Sequence, residues 1–211
     1  MFRYVIVEGP IGVGKTSLVK LLAKEFNART VLEKPEENPF LPQFYQDRKK
    51  YAFQAQLFFL LNRYQQQKEI AQLDLFNQIT ISDYLFAKDR IFASINLDDH
   101  ELALYEQIYQ LLNSQMPSPD LVIYLQAKPE VLLHRIRSRN HPYERELDLD
   151  YLKLLNEAYN YYFFHYDQSP LLIVDTSEID FVKRQKDLDQ LTREIKQMKK
   201  GTWYFVPRRT K

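Results

Sequence analysis

The sequence contains no cysteine, and only four glycines and one tryptophan among its 211 residues. The lack of cysteine excludes disulfide bonds, thiolate metal sites and a cysteine nucleophile. No apolar run approaches the ~20 residues that a membrane-spanning helix needs. The chain also lacks an excess of charge of either sign, since 29 basic residues stand against 28 acidic ones. That balance argues against partners such as nucleic acid or an anionic membrane.

What is present is the composition of a globular protein, with 45% hydrophobic and 27% charged residues. The N-terminal segment resembles a strand rather than a secretory signal, so we expect a cytoplasmic protein. No linker or internal repeat divides the chain, and we therefore expect one domain over residues 1–211.

Short apolar runs alternate with longer tracts of helical periodicity. The runs cover residues 4–7, 30–32, 79–82, 121–125 and 171–174. Unbroken apolar runs are typical of strands that are buried on both faces of a parallel sheet. The helical tracts cover residues 15–26, 51–76, 98–112, 129–139, 148–166 and 178–200. This alternation predicts an α/β fold with a parallel sheet and helices on both faces.

A glycine-rich segment follows the first predicted strand and opens a predicted helix. Its residues fit the phosphate-binding pattern G-x-x-x-x-G-K-[ST]: Gly9, Pro10, Ile11, Gly12, Val13, Gly14, Lys15 and Thr16. Backbone N–H groups of such a loop turn inward on a triphosphate, and the helix N-terminus adds positive potential. We expect Lys15 to reach the β- and γ-phosphates and the Thr16 hydroxyl to bind Mg²⁺.

The loop indicates a nucleoside triphosphate but leaves the reaction open. A switch GTPase should carry an Asn-Lys-x-Asp motif, which the sequence lacks. A transporter ATPase would need a longer chain. The remaining class is a kinase that acts on a nucleoside or a nucleotide.

Two carboxylates stand at the ends of predicted strands, where ligands of open α/β sheets gather. Glu33 follows the second strand and Asp83 follows the third. A carboxylate that orients a hydroxyl and accepts its proton assists phosphoryl transfer, and Glu33 is our candidate for this base. Asp83 follows an apolar run in the manner of a Walker-B element, so we expect it to hold Mg²⁺ directly or through water.

Three arginines lie near the end of the predicted helix over residues 129–139. Arg135 and Arg139 are four residues apart and share one helical face, from which Arg137 is turned away. We expect Arg135 and Arg139 to belong to a lid that closes over the charge of the transferred phosphate.

Taken together, these residues resemble the deoxynucleoside kinase family, from Gly9 to about Tyr166. The likeness rests on order and spacing rather than on any single residue. Besides the glycine-rich segment and the arginines, the matching positions are Glu33, Tyr45, Gln56, Arg63, Asp83, Asp89 and Glu144. The resemblance implies a P-loop kinase fold with a five-stranded parallel sheet, an arginine-bearing lid and a homodimer.

The resemblance also implies transfer of the γ-phosphate of ATP to the 5′-hydroxyl of a deoxyribonucleoside. In that family's terms, Glu33 is the general base, and Tyr45 and Glu144 hold the 3′-hydroxyl. Gln56 pairs with the base, and Arg63 and Asp89 form a second polar pair beside it. By this likeness we expect deoxyadenosine as the best substrate, deoxyguanosine or deoxycytidine next, and thymidine as a poor one.

One position departs from the family pattern. Many members follow the third-strand acid with arginine, whereas here Tyr84 follows Asp83. Either Lys88 or Arg90 is a candidate to supply the missing charge. Two alternatives stay open: a thymidylate kinase-like enzyme that acts on a nucleoside monophosphate, and a regulator that binds ATP without turnover.

Overall fold

A computed structural model of the chain describes residues 2–73, 79–114, 116–139, 141, 144 and 146–206, with the backbone alone for residues 69–73. In this part of the chain, six strands form one sheet in the order β2-β3-β1-β4-β5-β6, and all neighbours are parallel. The strands are β1 (Tyr4–Glu8), β2 (Arg29–Val31), β3 (Thr80–Ser82), β4 (Leu121–Gln126), β5 (Leu171–Asp175) and β6 (Thr202–Phe205).

The helices connect successive strands. They are α1 (Lys15–Phe26), α2 (Leu41–Gln46), α3 (Arg48–Leu73), α4 (Lys88–Asn96), α5 (Asp99–Asn113), α6 (Pro129–Arg139), α7 (Leu149–Phe164) and α8 (Gln185–Gln197), with a 3₁₀ turn at Pro35–Glu37. No helix among the described residues is both long enough and apolar enough to cross a lipid bilayer.

Alternate residues of the central strands pack into different hydrophobic clusters. Val5 and Val7 join a cluster that includes residues of α1, α6 and α8. Tyr4 and Ile6 join a second cluster, with residues of α4 and α7. Because successive side chains of a strand point to opposite faces, the two clusters lie on opposite faces of the sheet. Helices on both faces explain why the apolar runs of β1 and β4 are unbroken.

The α/β architecture and the parallel sheet are confirmed, but the expected number of five strands is wrong. The sixth strand, β6, pairs with β5 at the edge of the sheet. Three of its four residues are exposed, so it lacks the burial of the central strands β1, β4 and β5. The short helices α2 and α4 were not predicted. The helical tract predicted over residues 51–76 corresponds to α3, and its predicted end at residue 76 lies outside the described residues.

Candidate active site

A cavity opens where the glycine-rich loop, Glu33, Asp83 and the start of α4 come together. It lies at the carboxyl ends of β1, β2 and β3, as is usual for ligand sites of open α/β sheets. We call it the first cavity. Its wall contains Ile11, Gly12, Lys15, Thr16, Glu33, Pro35, Leu41, Phe44, Tyr45, Gln56, Phe59, Arg63, Asp83, Lys88, Asp89, Phe92, Arg139 and Glu144. Most of the candidate residues from the sequence are therefore gathered around one space.

The glycine-rich loop joins β1 to α1 in a conformation that requires its glycines. Gly12 has φ of +83°, and a Cβ there would lie 2.7 Å from the Ile136 side chain and 2.9 Å from the Leu132 carbonyl oxygen. The Lys15 ammonium donates to the carbonyl oxygens of Gly9 at 2.6 Å and Pro10 at 3.1 Å. Burial lowers the pKa of Lys15 to about 8, and the nearby charge of Lys88 adds to this effect.

Thr16 and Asp83, the two candidate Mg²⁺ ligands, are neighbours. The Thr16 hydroxyl donates to the Asp83 carboxylate at 2.5 Å, and the other carboxylate oxygen accepts the backbone N–H of Glu33 at 2.7 Å. Within the described residues, no group of three or more His, Cys, Asp or Glu side chains is placed so that it could hold a metal ion by itself. One hydroxyl and one carboxylate fit Mg²⁺, which usually takes few protein ligands and completes its shell with water and phosphate oxygens.

Glu33 is held by one cation on each carboxylate oxygen. Arg63 donates to Oε1 and Lys88 donates to Oε2. Burial by itself would raise the pKa of Glu33, but the charges of Arg63 and Lys88 outweigh it and lower the pKa to about 2. Glu33 is therefore ionised at every physiological pH.

Arg63 also binds Asp89, so one guanidinium connects two carboxylates. The side chains of Arg63 and Asp89 are only 4% and 1% exposed. The guanidinium lies 5.0 Å from the ring centre of Phe59 and 5.5 Å from that of Tyr84. The predicted Arg63–Asp89 pair is thus present, and it is buried rather than exposed on the surface. It leaves Arg63 Nε and Asp89 Oδ2 buried without a hydrogen-bond partner.

Arg139 lies at the end of α6 and contacts Glu144. Its guanidinium donates to both carboxylate oxygens of Glu144 at 2.9 Å, and both residues line the first cavity beside Tyr45. The Arg139 side chain is 44% exposed and that of Glu144 is 11% exposed. Arg139 is therefore close to the site but only partly enclosed.

Arg135 is placed differently from our expectation. Its guanidinium donates to the carbonyl oxygens of Val13, Thr176 and Ile179 at 2.7–3.3 Å and to the Thr176 hydroxyl at 3.0 Å. These contacts tie the glycine-rich loop to the segment that follows β5. Because its donors are engaged mainly by backbone carbonyls, Arg135 connects these two segments, and its expected role over the transferred phosphate stays a prediction.

The same segment borders a second cavity on the other side of the glycine-rich loop. Residues 12–17 line it together with residues 179–183, and it also contacts His134, Arg135, Ser138 and Arg139. Four residues line both cavities, and we call this set the shared wall: Gly12, Lys15, Thr16 and Arg139.

Arg90, one candidate for the missing charge, is not part of the first cavity. Its side chain is 54% exposed, and it donates to Glu106 at 2.6 Å. The expectation that Arg90 binds substrate is therefore not supported by its placement. The other candidate, Lys88, reaches Glu33.

Comparison with known protein families gives a match over most of the chain. The family model for deoxynucleoside kinases matches residues 5–200. The chain belongs to the deoxynucleoside kinase family. This membership supports phosphorylation of a deoxynucleoside rather than either alternative, a monophosphate kinase or a regulator without turnover.

Several relatives of this deoxynucleoside kinase are kinases of individual deoxynucleosides. A deoxyguanosine kinase of Bacillus subtilis is 34% identical over 200 residues, which are 92% of this chain and 97% of the relative. A deoxyadenosine/deoxycytidine kinase of the same organism is 26% identical over 198 residues, 90% of each chain. A solved deoxyadenosine kinase of M. mycoides, with dCMP and a flexible dCDP bound, has a TM-score of 0.81 at 27% identity. That match covers 92% of this kinase and all of the M. mycoides chain.

Glu8 is a residue of the kinase's site region that we did not single out from the sequence. It is fully buried, and its carboxylate accepts the backbone N–H groups of Gly9 at 2.8 Å and Leu85 at 2.7 Å and the Tyr159 hydroxyl at 3.2 Å. Burial raises its pKa, although Lys88 and Lys15 oppose the shift. Glu8 thus joins the glycine-rich loop to the segment after Asp83. The signal was a carboxylate at the end of an otherwise apolar strand.

Proposed function

We propose that this deoxynucleoside kinase prefers deoxyribonucleosides whose base carries an exocyclic amine, deoxyadenosine first, and uses the first cavity to hold them. The observation that carries the proposal is the buried Arg63–Asp89 pair with its free Asp89 Oδ2. A buried acceptor favours a ligand that donates to it. Adenine, guanine and cytosine each offer an exocyclic amine, whereas thymine has none. Gln56, which lines the same cavity, can pair with adenine through its amide.

The shared wall supports a division of the site between two substrates. We place the triphosphate in the second cavity and the nucleoside in the first, so that transfer takes place at Gly12, Lys15, Thr16 and Arg139. Lys15 binds the triphosphate, and Thr16 and Asp83 would hold Mg²⁺, which supplies charge neutralisation when bound. Tyr45 and Glu144 hold the 3′-hydroxyl, and Arg139 belongs to a lid.

Glu33 is the group that we propose to handle the proton. It lies beside Asp83 and close enough to Lys15 for their charges to interact, so a 5′-hydroxyl beside it would face the shared wall. The 5′-oxygen forms a bond to the γ-phosphorus while the bond from that phosphorus to the β,γ-bridging oxygen breaks. The hydroxyl proton passes to Glu33, and ADP leaves. Since the pKa of Glu33 is about 2, its main contribution before transfer is to orient the hydroxyl.

The order of preference among the deoxynucleosides rests on small differences in how their bases contact Gln56 and Asp89. We keep deoxyadenosine first, because the Gln56 amide complements adenine, with deoxyguanosine or deoxycytidine second. The relatives are named for deoxyguanosine as well as deoxyadenosine, so the ratio between the two purines is the quantity to measure.

The test is a competition assay with all four deoxynucleosides at equal concentration and saturating ATP. We expect both purines to be phosphorylated faster than thymidine by at least about tenfold, because a site built for a hydrogen bond rejects a ligand that leaves it unpaired. Thymidine as the best substrate would contradict the proposal.

A homodimer and a cytoplasmic location are also proposed, as is a single domain over residues 1–211. Exposed apolar residues seven positions apart lie on one face of α5, Leu104 and Leu111, and of α7, Leu154 and Tyr161. Such exposed stripes favour a protein partner, and we propose a second copy of this chain.

A further inference from the structure

The structure points to a role for Lys88 that rests on the proposed function of Glu33. We propose that Lys88 is a positioning residue for phosphoryl transfer: its ammonium fixes the Glu33 carboxylate in the orientation that meets the 5′-hydroxyl. In this chain it replaces the arginine that many family members carry at the position of Tyr84.

The contacts of Glu33 give the two cations different tasks. Arg63 occupies Oε1 and is shared with Asp89, whereas Lys88 occupies Oε2. A 5′-hydroxyl that bonds to Glu33 needs one of these oxygens. Release of Oε1 by Arg63 still leaves this arginine paired with Asp89, while Lys88 keeps hold of Oε2. The lysine therefore maintains the orientation of the carboxylate during the exchange.

Lys88 lies at a position that is unfavourable for a lysine without a partner. It is the first residue of α4, where the positive end of the helix dipole disfavours a cation. Its side chain is only 8% exposed, although lysine is almost never buried unless it is paired. A lysine that served only the helix or the surface would have the opposite placement. The pairing with Glu33 accounts for both features.

Neither Tyr84 nor Arg90, the two residues close to Lys88 in the sequence, supplies a cation to Glu33. Tyr84 is fully buried, its hydroxyl has no hydrogen-bond partner, and its ring lies against Arg63. Arg90 faces Glu106 instead. Tyr84 therefore fills the space beneath Arg63 without supplying charge, and Lys88 supplies it from four residues further along the chain.

The experiment compares Lys88→Met, which keeps the chain length and removes the charge, with Lys88→Arg, which keeps the charge. Lys20→Met, an exposed lysine of α1, is the matched control. For each protein, kcat and KM for deoxyadenosine and for ATP are measured from pH 5 to 9, and folding is checked by thermal unfolding.

We expect Lys88→Met to lower kcat about 10- to 100-fold at neutral pH and to change the nucleoside KM by less than about threefold. The fall of kcat toward low pH should begin at higher pH than in the wild type, because loss of the ammonium raises the pKa of Glu33. Lys88→Arg should recover most of kcat, and Lys20→Met should match the wild type. If Lys88→Met fails to fold, Lys88→Gln takes its place with the same expected result.

Wild-type kcat and an unchanged pH profile in the neutral variant would overturn the proposal. Equal losses in Lys88→Arg and Lys88→Met, with no change in the pH profile, would also overturn it, because they would indicate a packing role alone. A wild-type enzyme that phosphorylates no deoxynucleoside would instead contradict the proposed function.

Discussion

The two cavities beside the glycine-rich loop are built from different kinds of contact. In the first cavity, Glu33, Arg63, Lys88 and Asp89 form ion pairs between side chains. In the second, Arg135 is fixed mainly by backbone carbonyl oxygens of three separate residues. Side-chain pairs can exchange one partner for a ligand group, whereas contacts to the backbone hold two chain segments together.

This difference separates the part of the site that can respond to a substrate from the part that supports it. The first cavity contains donors and acceptors that are engaged with each other and are available for exchange. The second cavity is bordered by a loop whose geometry is already fixed. We therefore expect substitutions in the two cavities to have different effects.

The largest effect should come from Glu33→Gln, which keeps the shape of the side chain and removes its charge. We expect kcat to fall by roughly 10²–10⁴-fold, the usual contribution of a positioned acid or base. Binding of ATP should be preserved, because the second cavity does not include Glu33. Steady-state kinetics and calorimetric binding of both substrates check this, and near-normal turnover would remove Glu33 from the mechanism.

Much of the fold could be predicted, because its signals are local. The buried strands are visible in the sequence as apolar runs. The helices α1 and α6 have the bounds expected from their periodicity and, for α6, from Pro129 at its start. The edge strand β6 gives a weaker local signal, since its side chains are mostly exposed. Its place in the sheet comes from pairing with β5, a contact between distant parts of the chain.

The site was predictable by residue type but not by orientation. Arg135 and Arg139 share a helical face, yet Arg135 points to backbone carbonyls and Arg139 to Glu144. Likewise, Lys88 and Arg90 are two residues apart, and only the direction of α4 determines which of them faces Glu33. Spacing along a chain identifies candidates, whereas their partners depend on the packing of other elements.

The next effect tests these two arginines against each other. Arg135→Met should lower the melting temperature and raise the KM for ATP, since it releases the glycine-rich loop from the segment that follows β5. Arg139→Met should leave the melting temperature almost unchanged and lower kcat by about tenfold or more, because it removes charge near the transferred phosphate. Thermal unfolding and kinetics on both variants would contradict this account if the two effects were exchanged.

The smallest effect on chemistry should come from a residue remote from both cavities. Leu111 of α5 is 71% exposed. Leu111→Glu should weaken a dimer that packs through α5 and α7, while kcat per subunit changes by less than about twofold. Light scattering across a concentration series measures the assembly, with Lys20→Glu as the control for added negative charge. A wild-type protein that is monomeric at all concentrations would contradict the proposed homodimer.

The central claim is that one arginine serves both base recognition and the catalytic carboxylate. The direct test measures kcat and KM of Arg63→Met and of Asp89→Asn with each of the four deoxynucleosides. We expect Arg63→Met to lower kcat with every substrate, thymidine included, because Glu33 loses a neighbouring positive charge that lowers its pKa. Asp89→Asn should mainly change the order of preference and reduce the advantage of the purines over thymidine. If both variants changed only the preference and left kcat as in the wild type, Arg63 would serve recognition alone and the claim would be contradicted.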